Sequence, residues 1–178
     1  MITFILGGAR CGKSRHAEAL ANRWLDAHPD GERIYIATAQ VFDDEMRDRV
    51  AQHQDQRGGN WRTIEEPMAL RDVLQKEADQ NRFILVDCLT LWLTNCLLAE
   101  HDCNGAVTGL CEALTALDGE IVIVSNEVGL GIVPENKLAR QFRDIAGIAN
   151  QRVAEVADKV VFIAAGLPVV LKENGSEG

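Results

Sequence analysis

The chain has 178 residues, 47% of them hydrophobic, and a formal net charge of −9. That length suits one domain with a sizeable core, and disorder is expected only at the ends. An acidic surface excludes nucleic acid and anionic membrane as bulk partners, but a nucleotide needs only a local positive site and stays open.

Apolar runs alternate with longer stretches of helical period. Residues 3–6 read as a first strand, stopped by Gly7 and Gly8. Residues 14–28 read as a helix with Ala17, Leu20, Ala21 and Trp24 on one stripe, ended by Pro29, Asp30 and Gly31. A second strand covers 33–38. Asp43, Asp44 and Glu45 then open another helix, where acid suits the positive end of the dipole. Met46, Val50 and His53 fall on its inward stripe, and Gly58 and Gly59 stop it.

A short strand at 61–65, a helix over 67–80 and an apolar strand at 83–86 follow, the last running into Asp87. Residues 89–99 are apolar almost all round, which predicts a helix buried on several sides or packed against another subunit; a homo-oligomer interface is the preferred use. A helix near 110–117, a strand at 120–125 and a Gly/Pro loop over 126–136 come next. A long helix over 137–157 carries Leu138, Phe142, Ile145, Ala149, Val153 and Val156 on one stripe, and a last strand covers 159–164. Residues 172–178 read as a polar tail, leaving 1–171 as a single catalytic domain. Strands apolar throughout and joined by helices imply an α/β fold: a mostly parallel sheet with helices on both faces.

Five cysteines, Cys11, Cys88, Cys96, Cys103 and Cys111, form no Cys-x-x-Cys pair. The opening residues are too short and insufficiently basic for a signal peptide, and no apolar run reaches the ~20 residues that span a bilayer. The cysteines therefore read as reduced thiols packed as small hydrophobes in a cytoplasmic protein, in preference to a zinc cluster.

The chemistry begins at Gly7, Gly8, Ala9, Arg10, Cys11, Gly12, Lys13 and Ser14, which fit the Walker A pattern G-x-x-x-x-G-K-[ST]. Glycines let the backbone curl so that successive N–H groups face phosphate oxygens, and the following helix adds its positive end. Lys13 neutralises the outer phosphates and Ser14 offers its hydroxyl to Mg²⁺. The strand before the loop and the amphipathic helix after it supply the context that the motif requires, so the fold is of P-loop NTPase type. Asp87, at the end of an apolar strand, is the expected acid on the metal side. Glu127 is a weaker candidate of the same kind.

The loop and the residues that follow it, through Arg15, His16, Ala17 and Glu18, resemble the start of the bifunctional adenosylcobinamide kinase/adenosylcobinamide-phosphate guanylyltransferase family of cobalamin biosynthesis. The resemblance continues through Tyr35-Ile36-Ala37-Thr38-Ala39-Gln40 and Trp61-Arg62-Thr63-Ile64-Glu65. Its most specific block is Asn126-Glu127-Val128-Gly129-Leu130-Gly131-Ile132-Val133-Pro134-Glu135-Asn136. It spans about residues 2 to 171. Cys11 departs from the serine expected there, at a position that contributes mainly its backbone N–H, and the stretch 100–108 matches least.

The resemblance implies two reactions. A γ-phosphoryl passes from ATP or GTP to the hydroxyl of the cobinamide aminopropanol arm. GMP then passes from GTP to that phosphate, releasing pyrophosphate and giving adenosylcobinamide-GDP. The resemblance also implies that the guanylyl group rests on a histidine, which here is His53. Neutral imidazole is abundant at neutral pH and nucleophilic, so the chemistry is reasonable. It further implies a nucleotide site lined by Thr38, Gln54, Asp55, Gln56, Arg57, Glu65 and Asp87, with Glu65 as the reader of the guanine edge, and a homotrimer. Two other readings stay open: a single-function P-loop kinase, which needs no covalent histidine, and a nucleotide-gated binding module.

Overall fold

A computed structural model describes residues 1–40 and 60–174. Its elements are β1 (Ile2–Gly7), α1 (Lys13–Ala27), β2 (Glu32–Ala37), β3 (Trp61–Glu65), α2 (Leu70–Glu77), β4 (Arg82–Asp87), α3 (Leu89–Leu98), α4 (Cys103–Leu114), β5 (Glu120–Asn126), α5 (Lys137–Val156), β6 (Lys159–Ala164) and β7 (Leu167–Glu173). The helix expected to carry His53 lies outside the described residues.

The strands form a seven-stranded sheet in the order β3-β2-β4-β5-β1-β6-β7, parallel except for β7, which runs antiparallel to β6. Strand alternation divides the core. Phe4, Leu6, Ile34, Ile36, Ile84, Val86, Ile121 and Ile123 pack under α2, α3, α4 and α5. Ile5, Tyr35, Ala37, Phe83, Leu85, Val122, Val124 and Ile163 face α1 through Ala17 and Ala21. Both faces of the central strands are therefore apolar, and each fully buried Ile or Phe side chain contributes roughly 1.5–3 kcal/mol of transfer free energy.

Four features differ from the sequence reading. The helix read as 67–80 is shorter, because Glu66 turns the chain: its carboxylate accepts from the N–H groups of Met68 and Ala69. The helix read as 110–117 starts at Cys103, capped by Asp102, whose side chain accepts from Asn104 N. Gly105 and Gly109 hid that first half, since glycine weakens a helical reading.

The helix read as an oligomer interface is α3, and it is used up inside the protomer. Leu89, Trp92, Leu93 and Cys96 are buried in the core, and Leu98 is the large apolar side chain left exposed. Finally, β7 was not anticipated. It includes Lys172 and Glu173, the first residues of the expected tail, and Lys159 forms an ion pair with Glu173 across the hairpin at 2.6 Å.

At the opposite end of the sheet from the phosphate loop, Arg62 on β3 bridges Glu32 at 2.6 Å and Glu77 at 2.6 Å. The hydrogen bond from Arg62 holds the Glu77 carboxyl below its ordinary range, against the opposing effect of burial. A depressed carboxylate pKa stabilises the fold above the unfolded value and loses that contribution as pH falls through the folded one. Arg62→Met is therefore expected to flatten the acid limb of the stability profile, read by urea unfolding below about pH 5. An unchanged acid limb would contradict this role.

Candidate active site

The C-terminal edge of the parallel strands gathers the site. Gly7 ends β1, and the chain curls through residues 8–12 into α1. Gly12 caps the helix at φ 103°, a left-handed value that costs glycine least, and no side chain caps the first turn. The N–H groups of that turn are thus left for an anion. Arg10 sits exposed at the loop apex with φ 55°. Ala9 is exposed beside it, while Gly8, Cys11 and Ser14 are half-buried.

Lys13 is buried and folds back across the loop mouth. Its Nζ donates to Gly7 O at 2.9 Å and Gly8 O at 2.6 Å. The ammonium is therefore already positioned over the loop that would receive phosphate oxygens. Cys11 Sγ lies 3.7 Å from the same Nζ.

Residues of β6 and of the β6–β7 turn brace the loop from behind, which the sequence does not signal by spacing. Gly166 N, in the tight turn between β6 and β7, donates to Cys11 O at 2.9 Å. A Cβ on Gly7 would stand 2.5 Å from Ile163 O, and one on Gly12 would stand 3.3 Å from Gly166 Cα. The hairpin β6–β7 therefore seats the loop, and glycine is required for that close approach. The pair Ala165-Gly166 between two apolar runs was the available signal, a turn dipeptide with both residues at positive φ.

Asp87 ends β4, two strands from β1, so it stands about 10 Å from Gly7 along the sheet edge at the usual ~4.8 Å spacing. Alternation along β4 puts it on the face of Phe83 and Leu85, the face that α1 covers. Its Oδ2 accepts from Tyr35 OH at 2.9 Å. Tyr35 and Ala37 share that face on the neighbouring strand, so the period-2 pattern of both strands carries the partnership. The Ser14 hydroxyl on the first turn of α1 and the Asp87 carboxylate, both oxygen donors on one side of the sheet, fit a hard divalent cation.

Thr38 is fully buried. Its hydroxyl donates to Cys88 O at 2.8 Å and accepts from Cys88 N at 2.8 Å, and its carbonyl accepts from Asn95 Nδ2 at 2.7 Å. These bonds tie the end of β2 to the residue after Asp87. Thr38→Val would leave both backbone groups of Cys88 without that partner. We expect it to destabilise the fold by about 2–4 kcal/mol, read as a lower urea midpoint, with each abandoned polar group costing about 1–2 kcal/mol. A midpoint within error of the parent would contradict the brace.

Glu65 is exposed at the end of β3, pairing with Ala37. It lies four strand spacings from Gly7, about 19 Å. His53, Gln54, Asp55, Gln56 and Arg57 lie outside the described residues.

Glu127 follows β5. Its N–H donates to Gly7 O at 3.0 Å, and its Oε1 accepts from Gly129 N at 2.5 Å. Behind it, Ser125 Oγ donates to Asn150 Oδ1 at 2.8 Å and Thr90 Oγ1 accepts from Asn126 N at 2.7 Å, so polar bonds fix the end of β5. An open cavity of about 410 Å³ between α5 and the β1–β6 side of the sheet, lined by Leu6, Glu127, Asn150 and Lys172, adjoins the loop through Glu127.

His16, half-buried on α1, has its pKa lowered by burial and by the positive charges of Arg23 and Lys159. It is thus kept neutral near physiological pH. Burial, with the charge of Asp87 behind it, pushes the Cys88 thiol up to about 12, and burial pushes Cys96 up to about 11. Neither thiol is a nucleophile at neutral pH.

The family model for cobinamide kinase / cobinamide phosphate guanyltransferase (CobU) matches residues 3–171. The chain is 49% identical over 174 residues to the bifunctional adenosylcobalamin biosynthesis protein CobP of Pseudomonas aeruginosa, covering 97% of this chain and 98% of that one. It is 41% identical to the bifunctional adenosylcobalamin biosynthesis protein CobU of Salmonella typhimurium and 37% identical to that of Escherichia coli, in both cases over 97% of this chain and all of the relative. Among solved structures, the flagellar accessory protein FlaH of Methanocaldococcus jannaschii superposes with a TM-score of 0.56 at 15% identity, over 99% of this chain and 80% of that one. That likeness concerns the α/β fold alone.

Proposed function

We propose, for a chain that belongs to the bifunctional cobinamide kinase and cobinamide phosphate guanylyltransferase family, a division of labour between one phosphate platform and one nucleophile. The enzyme transfers a phosphoryl group from ATP or GTP to cobinamide, then GMP from GTP to the cobinamide phosphate. The observation that carries the reading is the buried Lys13 ammonium held over an uncapped helix N-terminus, in a chain matched over nearly its full length. That arrangement stabilises the charge that develops on phosphoryl oxygens.

In the first reaction, Lys13 and the loop N–H groups hold the donor phosphates in line with the acceptor hydroxyl. Ser14 and Asp87 would hold Mg²⁺, which would supply charge neutralisation for the donor phosphates. Tyr35 keeps the Asp87 carboxylate aimed at that side. Thr38 acts through Cys88 as a positioning residue for Asp87.

In the second reaction, His53 attacks the α-phosphorus of GTP. The P–O bond to the pyrophosphate breaks and the imidazole nitrogen carries GMP; an oxygen of the corrinoid phosphate then bonds to that phosphorus as the P–N bond breaks and the imidazole leaves. Gln54, Asp55, Gln56 and Arg57 line the GMP unit, and Glu65 accepts from the guanine N1 and N2 edge. The position of Glu65 beyond Asp87 on the same sheet edge supports a nucleotide laid across the ends of β4 and β2 with its phosphates toward the loop.

We further propose a homotrimer in the cytoplasm. Reduced thiols suit that compartment, and among the described residues no helix is long and apolar enough to cross a membrane. The exposed apolar edge strand β7, with Leu167, Val169, Val170 and Leu171, supports burial against another copy. The test is conversion of cobinamide followed by mass spectrometry: a phosphate adduct with ATP alone and a GDP adduct once GTP is added. Tight GTP binding with no corrinoid product would instead indicate a nucleotide-gated module.

A further inference from the structure

We infer that the loop between β5 and α5 is the acceptor half of the kinase site: Leu130, Ile132 and Val133 seat the corrinoid macrocycle, and Glu127 receives the proton of its attacking hydroxyl. The inference rests on assigning residues 7–14 to the donor phosphates.

Position carries the first part. The carbonyl of Gly7 accepts from both Lys13 Nζ, at 2.9 Å, and Glu127 N, at 3.0 Å. The ammonium that meets the outer phosphates and the first residue of the loop are therefore separated by no more than those two bonds. An acceptor that attacks the γ-phosphorus must come in beside this point, and the loop departs from it.

Composition carries the second part. Leu130 is 82% exposed, Ile132 97% and Val133 60%, an unusual display of branched aliphatic side chains on one short segment. The segment is not a frayed excursion. Glu127 pins its start by accepting from Gly129 N, and Arg140 Nη1 pins its end by donating to Pro134 O and Glu135 O. Asn136 then caps α5 through Leu138 N and Ala139 N. A pinned apolar platform suits a broad rigid ring system. Residues 127–136 carry Glu127 and Glu135 and no lysine or arginine, which disfavours an anionic partner and tolerates the cationic cobalt centre of a corrin.

Chemistry carries the third part. One oxygen of Glu127 is held by Gly129 N, and its other oxygen has no protein partner among the described residues. In the step, the hydroxyl proton passes to that oxygen as the hydroxyl oxygen bonds to the γ-phosphorus. The bond from the γ-phosphorus to the bridging oxygen breaks, and the nucleoside diphosphate leaves with the electron pair.

Two variants of the full chain test this, with adenosylcobinamide as the probe. Leu130→Ser/Ile132→Ser changes exposed side chains. It is expected to raise the KM for adenosylcobinamide at least tenfold, while the KM for the nucleotide stays within twofold and the sedimenting mass is unchanged. An unchanged corrinoid KM overturns the seat. A fall in sedimenting mass also overturns it, by assigning the loop to a second copy of the chain.

Glu127→Gln is expected to lower kcat for phosphoryl transfer by about 100-fold, with little change in either KM. A parental kcat, or a loss that falls on KM and leaves kcat at the parental value, overturns the proton role. A parent enzyme with no nucleotide-dependent phosphorylation of cobinamide would instead fail the underlying assignment of the phosphate loop.

Discussion

Lys13→Ala is expected to lower phosphoryl transfer to cobinamide by at least about 10²–10³-fold, the range seen when one preorganised donor to a developing oxyanion is removed. The geometry explains why the loss falls on kcat. Lys13 is already buried and directed at the carbonyls of Gly7 and Gly8. Phosphate binding would exchange those carbonyl contacts for phosphate oxygens with the ammonium already at the loop. Such a group stabilises charge more effectively in the transition state than in the ground state.

The fold should survive the change. Gly7 O keeps its bond from Glu127 N, and Ala17 and Ala21 still anchor α1 on the sheet. The measurement is steady-state phosphorylation of cobinamide with ATP, beside circular dichroism as a control for folding. Activity within tenfold of the parent would show that the loop N–H groups and the helix end suffice without the ammonium.

His53→Ala is expected to separate the two reactions. Guanylyl transfer should fall by about 10³-fold or more, since a covalent route is removed rather than weakened. Phosphoryl transfer from ATP should stay near the parental rate, because nothing in attack at the γ-phosphorus calls for a second nucleophile. The direct reading is protein labelling by GTP carrying a labelled α-phosphate. Wild type should hold label that is acid-labile and base-stable, as a phosphoramidate is, and the variant should hold none. Equal labelling of both proteins would place the intermediate on another residue.

The parts of the molecule that were legible in the sequence are those whose signal is local. β1, β2, β4 and β5 are runs of Ile, Val, Phe and Leu bounded by polar residues, and α1 and α5 carry an apolar stripe at helical spacing. The loop from Gly7 to Ser14 declares itself because glycine, lysine and serine are each needed at a fixed place for phosphate. Asp87 was legible as a polar residue at the end of such a strand.

The missed features depend on what other segments supply. β7 reads as loop and tail because an edge strand with exposed side chains has no alternation to display; β6 alone defines it. The apolar circumference of α3 carries no mark that says whether its partner is α4 and α5 or another subunit, and in the fold Trp92 and Leu93 turn inward. The seat of the phosphate loop on the Ala165–Gly166 turn joins segments more than 150 residues apart, so no spacing rule reaches it. The same holds for the shared carbonyl of Gly7, which brings Lys13 and Glu127 to one point.

One chain breaks two different bonds of a nucleoside triphosphate and delivers both fragments to one corrinoid. The most direct measurement supplies cobinamide with ATP and GTP labelled at the γ-phosphate and GTP labelled distinguishably at the α-phosphate, and counts both labels in the purified corrinoid product. Equal amounts of the two labels are predicted, since the final product holds one phosphorus from each reaction. A product carrying the γ label alone would contradict the account and leave a single-function kinase.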